Sequence, residues 1–162
     1  MGKFLEGEGM PLAYHHHMGT VIESQKDTER LLENTDDSVK LTLDTGHMLF
    51  AQGESIKFLN DFNERVIHIH CKDIRKNVLE KSLKDDLSFR AAFLEGAFTV
   101  PGDGCIDYKP LFDVLNINSY SGWLVVEAEQ DPKKANPLEY AKIGYKYLTE
   151  TLMKAGIKVS QS

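Results

Sequence analysis

The chain has 162 residues, of which 41% are hydrophobic and 27% charged, enough apolar material for the core of one compact domain. Nineteen Lys and Arg stand against 25 Asp and Glu, for a net charge of −6; without a basic stripe to neutralise phosphates, nucleic acid and anionic membrane surfaces are excluded as partners. Cys71 and Cys105 form no CxxC pattern, no apolar run nears the roughly 18 residues of a membrane span, and Met1–Gly9 lacks a signal-peptide layout; the expectation is a reduced, cytoplasmic, soluble protein.

Gly2–Gly9 reads as the tail of a helix rather than the start of a domain, so more chain is expected upstream. Pro11–His17 (PLAYHHH) predicts a strand, and Ser24–Asn34 a helix that buries Leu31 and Leu32. Val39–Asp44 (VKLTLD) predicts a second strand, followed by a helix over Ser55–Arg65 with Ile56, Leu59 and Phe62 at helical spacing. Val66–Cys71 (VIHIHC) is the third strand. The pattern then loosens: Asn77–Glu95 reads as a helical insertion, Thr99–Ile106 as a Gly/Pro loop, and Tyr108–Leu115 as the helix leading back to the sheet. Trp123–Ala128 (WLVVEA) is the fourth strand, and Pro137–Lys154 a closing helix with Tyr140, Ile143, Tyr147 and Leu148 on its apolar face. Successive βα units imply a parallel sheet with right-handed crossovers. A closed (β/α)8 TIM barrel takes about 250 residues, so the predicted fold is a single α/β domain over residues 1–162 that makes up half of such a barrel. Its open edges and bare interior imply a homo-oligomer, or pairing through the open half-barrel.

All six histidines lie in three places, His15-His16-His17, His47, and His68 with His70, each at the C-terminal end of a predicted strand. In a barrel that end carries the active site. Alternation puts His15 and His17 on one face, and does the same for Thr42 and Asp44, His68 and His70, and Glu127 and Glu129. These parities allow Asp44, His70, Glu127 and one histidine of the first cluster to converge. Such a mixed set suits a hard or borderline divalent ion such as Mn²⁺, Co²⁺ or Mg²⁺. The ion would polarise a ketone and acidify the adjacent C–H, and a nearby carboxylate, Lys or His would move the proton. Each element also has a plainer reading: a strand-end histidine held by hydrogen bonds, glutamates solvated as the strand leaves the core, Asp44-Thr45-Gly46 as a simple turn with Asp44 as its cap. A polar cluster at every strand end is harder to explain that way. The histidine triplet sits inside an apolar run followed by Met18-Gly19-Thr20, unlike an affinity tag. Val100–Gly104 is either a surface turn or a loop that brings Asp103 or a backbone N–H to a substrate hydroxyl.

Tyr14–Thr20 (YHHHMGT), Leu43–His47 (LDTGH), His68–Arg75 (HIHCKDIR), Phe98–Asp107 (FTVPGDGCID) and Gly122–Pro132 (GWLVVEAEQDP) resemble the inosose dehydratases of myo-inositol catabolism, within the xylose-isomerase-like superfamily of sugar epimerases and isomerases. The resemblance runs over nearly the whole chain and implies a (β/α)8 barrel of which these are the last four strands. It also implies a divalent metal, Mn²⁺ or Co²⁺ with Mg²⁺ or Zn²⁺ as alternatives, held in relatives by a Glu, an Asp, a His and a Glu from successive strands. Carried over, the last three are Asp44, His70 and Glu127. The first position departs from the pattern: epimerases read L-A-x-E-x-H, and here Leu12-Ala13-Tyr14-His15-His16-His17 puts His15 where the Glu is expected. An epimerase commonly uses a carboxylate on each side of the reacting carbon, so losing one favours elimination.

The implied activity is that of a hydro-lyase acting on a cyclic polyol ketone, inosose (2-keto-myo-inositol), to give a trihydroxycyclohexane-1,2-dione. Lys72 or Glu129 is expected to move the proton, with Glu127 and His47 completing the catalytic set. Lys72 serves as a base only where burial or the metal lowers its pKa. His17 is expected to orient hydroxyls, and Asp73, Arg75 and Asp103 to contact substrate or support the ligands. The rivals are a keto-sugar epimerase or isomerase on the same barrel, and a catalytically silent half-barrel.

Overall fold

The computed structural model describes residues 1–159. A short helix α1 (Gly2–Gly7) precedes β1 (Leu12–His15), α2 (Gln25–Glu33), β2 (Val39–Asp44), α3 (Thr45–Phe50) and α4 (Ser55–Phe62). β3 (Val66–Cys71) and β4 (Asp73–Ile74) lead into the helical pair α5 (Lys76–Lys84) and α6 (Phe89–Glu95). The chain closes with β5 (Phe98–Thr99), α7 (Tyr108–Ile117), β6 (Trp123–Val126) and α8 (Pro137–Lys154). β1, β2, β3 and β6 form one parallel sheet in that order, and β4 pairs with β5 antiparallel. The expected succession of βα units is therefore present, with the expected insertion between the third and fourth large strands.

Alternation divides the sheet's two faces. Leu41 and Leu43 of β2, with Ile69 and Cys71 of β3, pack under Phe58, Leu59, Tyr108, Leu111, Phe112, Leu148 and Leu152 from the helices. Thr42, Asp44, His68 and His70 alternate with them and so point to the opposite face. Local signals set the helix starts. Ser24 and Asp27 form a reciprocal capping box on α2, and Asn136 caps α8 with Pro137 directly behind it.

Three details differ from the sequence expectations. The first strand ends at His15 because the His17 N–H turns to bond the Ile22 carbonyl at 3.1 Å. The insertion is two helices, separated at Asp86, which has a positive φ of 48°, and α6 starts at its own cap, Ser88. On α8, Ile143 is exposed rather than packed. Gly144 takes the close approach instead: a Cβ there would lie 2.6 Å from Val126.

At the N-terminal end of the strands, the Arg65 guanidinium donates to the carbonyls of Val39, Leu32 and Asp36 and to Thr35 Oγ1, at 2.8 to 3.1 Å. This clamp ties the α2–β2 turn to the start of β3. Charged hydrogen bonds of this kind contribute about 1.5–3 kcal/mol each when their loss strands a partner. R65M should therefore lower unfolding stability in urea by about 2–4 kcal/mol; a loss under about 0.5 kcal/mol would show that the clamp carries little.

Candidate functional site

Asp44 ends β2 and is fully buried. Its Oδ1 accepts the His47 N–H at 2.9 Å and so caps α3, a helix too short for apolar periodicity to reveal. Its Oδ2 lies 3.4 Å from His15 Nε2, 3.6 Å from His70 Nδ1 and 3.2 Å from Lys72 Nζ. Its backbone N–H donates to His16 Nε2 at 3.1 Å. Burial pushes His16 down to about 3, so it remains a neutral acceptor. Burial also opposes the ionisation of Asp44. The neighbouring imidazoles of His15 and His70 and the charge of Lys72 outweigh it, holding the carboxyl well below its usual range.

His70 Nδ1 also sits 3.1 Å from Glu127 Oε2, and the two carboxylates, Asp44 first, raise its pKa to about 9. Neither His70 Nδ1 nor Glu127 Oε2 makes an aligned hydrogen bond, although both atoms are buried. Buried polar atoms are rarely left in that state. The ligand atoms of His15, Asp44 and His70 all lie within 4.8 Å of one another, as do those of His17, His47 and Glu129. Two imidazoles and a carboxylate in the first group, with Glu127 beside His70, fit a divalent ion.

A second group lies beside the first. Glu129 reaches His17 Nε2 at 3.3 Å and His47 Nε2 at 3.0 Å. The two rings lie 3.7 Å apart, and His17 Nδ1 donates to the Met18 carbonyl at 2.7 Å. Burial lowers the pKa of His47 against the pull of Glu129. Glu129 is itself held near 2, because His47 and Lys72 outweigh the burial that would raise it.

Lys72 joins the two groups. Its fully buried ammonium lies 2.8 Å from Glu129, 3.0 Å from Glu127, 3.2 Å from Asp44 and 2.9 Å from His47 Nε2. Burial alone would lower its pKa, as expected of a base, but the three carboxylates reverse the sign and raise it. Lys72 is thus held protonated. Its backbone is equally constrained: Thr45 Oγ1 accepts its N–H at 3.1 Å, and its carbonyl accepts from Thr45 at 2.7 Å and Tyr108 at 2.9 Å. Gly46 packs against its stem, where a Cβ would fall 2.7 Å from Lys72 Cγ. Gly46 and His16 stand inside the LDTGH and YHHHMGT motifs without a pattern that marks these roles, and Tyr108 gives no sequence signal beyond opening a helix.

The residues after Lys72 are placed differently. Asp73, expected to contact substrate or support the ligands, is fully buried, with its side chain turned opposite to that of Lys72 by strand alternation. Its Oδ1 accepts from Ile74 N and Ile106 N at 2.7 and 2.9 Å, and Gly104 rests against it. It anchors the 102–106 loop. Arg75 bonds Asp103 at 2.7 Å, Thr99 Oγ1 at 3.0 Å and the Gly96 carbonyl at 2.8 Å. Gln130, next to Glu129, bonds the same Thr99 at 3.2 Å. Arg75 and Asp103 therefore brace the loop that flanks the site.

The chain is similar to several known proteins. An inosose dehydratase of Clostridium beijerinckii is 48% identical over 151 residues, 93% of this chain and 51% of that protein. One of Lactiplantibacillus plantarum is 48% identical over 153 residues, 94% of this chain and 51% of its own length. The rhizopine catabolism protein MocC of Rhizobium meliloti is 45% identical over 154 residues, 95% and 47%. The chain thus spans about half the length of the curated relatives it matches. Among solved structures, an IolI protein with a bound zinc atom superposes with a TM-score of 0.68 at 19% identity, over 94% of this chain and 52% of that one, a likeness of fold. The family model described as "Xylose isomerase-like TIM barrel" matches residues 1–151. The chain belongs to the xylose isomerase-like TIM-barrel family.

Proposed function

We propose that this chain carries the ion-binding and proton-transfer half of an inosose dehydratase, a hydro-lyase that converts 2-keto-myo-inositol to a trihydroxycyclohexane-1,2-dione. The observation that carries this reading is the Lys72 ammonium, buried among Asp44, Glu127 and Glu129 between two histidine groups. The similarity to inosose dehydratases over 93% of the chain supports the substrate.

His15, Asp44, His70 and Glu127 would hold the ion, with Mn²⁺ or Co²⁺ the first choice for this donor set. Bound there, a divalent ion supplies Lewis acidity to the substrate ketone and so acidifies the neighbouring C–H. His70 would give up its proton on binding the ion; Asp44, Glu127 and Glu129 then set three negative charges against one on Lys72, which a single divalent ion balances. That leaves His17, His47 and Glu129 for the substrate. Glu129, held ionised, takes the α-proton. Lys72, held protonated, delivers a proton to the hydroxyl that departs from the next carbon. One C–H and one C–O bond break, a C=C bond forms, water leaves, and the enol tautomerises to the dione. His17 and His47 hold ring hydroxyls, and Arg75 and Asp103 keep the flanking loop in place.

Running the reaction in D₂O with Mn²⁺ tests the reaction type. A dehydratase yields the dione with loss of water. Recovery of ketone labelled with deuterium at the α-carbon, without dione, would contradict the proposal and mark an epimerase.

Among the described residues β1 and β6 are the edge strands of the parallel sheet, and Trp123 on β6 is 65% exposed. Free parallel edges invite association, so light scattering at micromolar concentration is expected to give a mass above the 18.3 kDa of one chain. A strictly monomeric chain would argue against pairing through this face.

A further inference from the structure

The polar groups of the site can grip hydroxyls, but they offer nothing to the C–H face of a ring. That surface comes from the α5–α6 insertion. Phe89, the first residue of α6, brings its ring to 5.4 Å from His17, edge-on at 72°, and to 5.9 Å from His47. Behind it, Phe98 lies 5.7 Å away and is fully buried, and Lys72 Nζ sits 5.6 Å from the Phe98 centroid. Phe89 itself is only partly buried: part of the ring packs on the Phe50–Ile74–Phe98 cluster, and the rest adjoins His17. Gly19, with φ of 75°, brings the loop after β1 against the same ring, where a Cβ would touch Phe89 Cδ1 at 3.8 Å. Two separate insertions into the strand plan thus converge on one aromatic face beside the Lys72–Glu129 pair.

We infer that Phe89 is the apolar wall of the substrate pocket and selects ring-shaped polyols over open-chain ones. The inference rests on the dehydratase reading and extends it to specificity. A cyclohexane polyol with mostly equatorial hydroxyls presents axial C–H bonds on its faces, and these complement the electron-rich face of an aromatic ring. An open-chain polyol has the same hydroxyls and no such face. Aromatic walls with a few placed polar groups are how small-molecule sites commonly combine affinity with orientation.

The test uses two unreactive probes with six hydroxyls each, myo-inositol for the ring and D-glucitol for the open chain, titrated into the 162-residue chain with Mg²⁺ and followed by saturation-transfer NMR. The wild type is expected to bind myo-inositol more tightly than D-glucitol. F89A should weaken myo-inositol by about two- to tenfold and leave D-glucitol unchanged. F89L keeps the apolar bulk that seats α6, and should fold with an unaltered thermal midpoint while still losing part of the preference. Unchanged myo-inositol binding in folded F89L and F89A, or equal losses for both probes, would overturn the wall and leave the dehydratase reading standing. A wild-type chain that binds neither probe would contradict the dehydratase reading itself, and the wall with it.

Discussion

Replacing Asp44 by Asn is expected to abolish turnover and to weaken divalent-ion binding by more than about 100-fold, the upper end for losing only a supporting partner of a ligand. Asn is the informative replacement because its side-chain oxygen can still accept the His47 N–H at 2.9 Å and cap α3. The fold is thereby kept while the charge that faces His15, His70 and Lys72 is removed. Equilibrium dialysis with Mn²⁺ or Co²⁺ reads the affinity directly. Wild-type affinity in a folded D44N chain would remove Asp44 from the ligand set.

Replacing Lys72 by Met should have an equally large effect on rate and the opposite effect on the ion. Loss of a positioned proton donor typically costs 10²- to 10⁴-fold, so inosose turnover is expected to fall by roughly that factor. Without the ammonium, Asp44, Glu127 and Glu129 face one another uncompensated. Removing one partner of a buried charge cluster costs about 3–5 kcal/mol. The metal-free variant should therefore melt well below wild type, and added Mn²⁺ should recover most of the loss. The ion should also bind more tightly than in wild type. A K72M chain with weakened ion binding would place Lys72 among the ion's supports rather than opposite it.

The two replacements thus separate the ion's holder from the proton's carrier, a separation that was only partly legible in the sequence. Strand alternation was enough to bring Asp44, His70 and Glu127 toward one point, and they stand 3.1 to 3.6 Å apart in consecutive pairs. The direction of the Lys72 pKa was not legible, because it depends on how many carboxylates surround a buried ammonium, and those carboxylates come from elements distant in sequence. Helix α3 was hidden by its length of six residues; only Asp44 as a possible cap hinted at it. Asp73 belongs to the same difficulty. The HxHxKD spacing put it next to a reactive lysine in sequence, while the short pairing of β4 with β5 turns its carboxyl inward beneath the 102–106 loop. Four strands followed from apolar runs of ordinary strand length and their parallel pairing from the succession of βα units, signals that survive without tertiary information. The contact between Phe89 and His17 joins residues 72 positions apart by subtraction of their numbers, and no local pattern encodes it.

The most direct test of metal-dependent dehydration at this site is inosose consumption by the 162-residue chain, stripped of metal with a chelator and then supplied with Mn²⁺ or Co²⁺. The stripped protein is expected to show no reaction, and the dione to form in step with added ion. Turnover that persists unchanged after stripping, or ion binding with no dione formed while a full-length relative is active in the same assay, would contradict it.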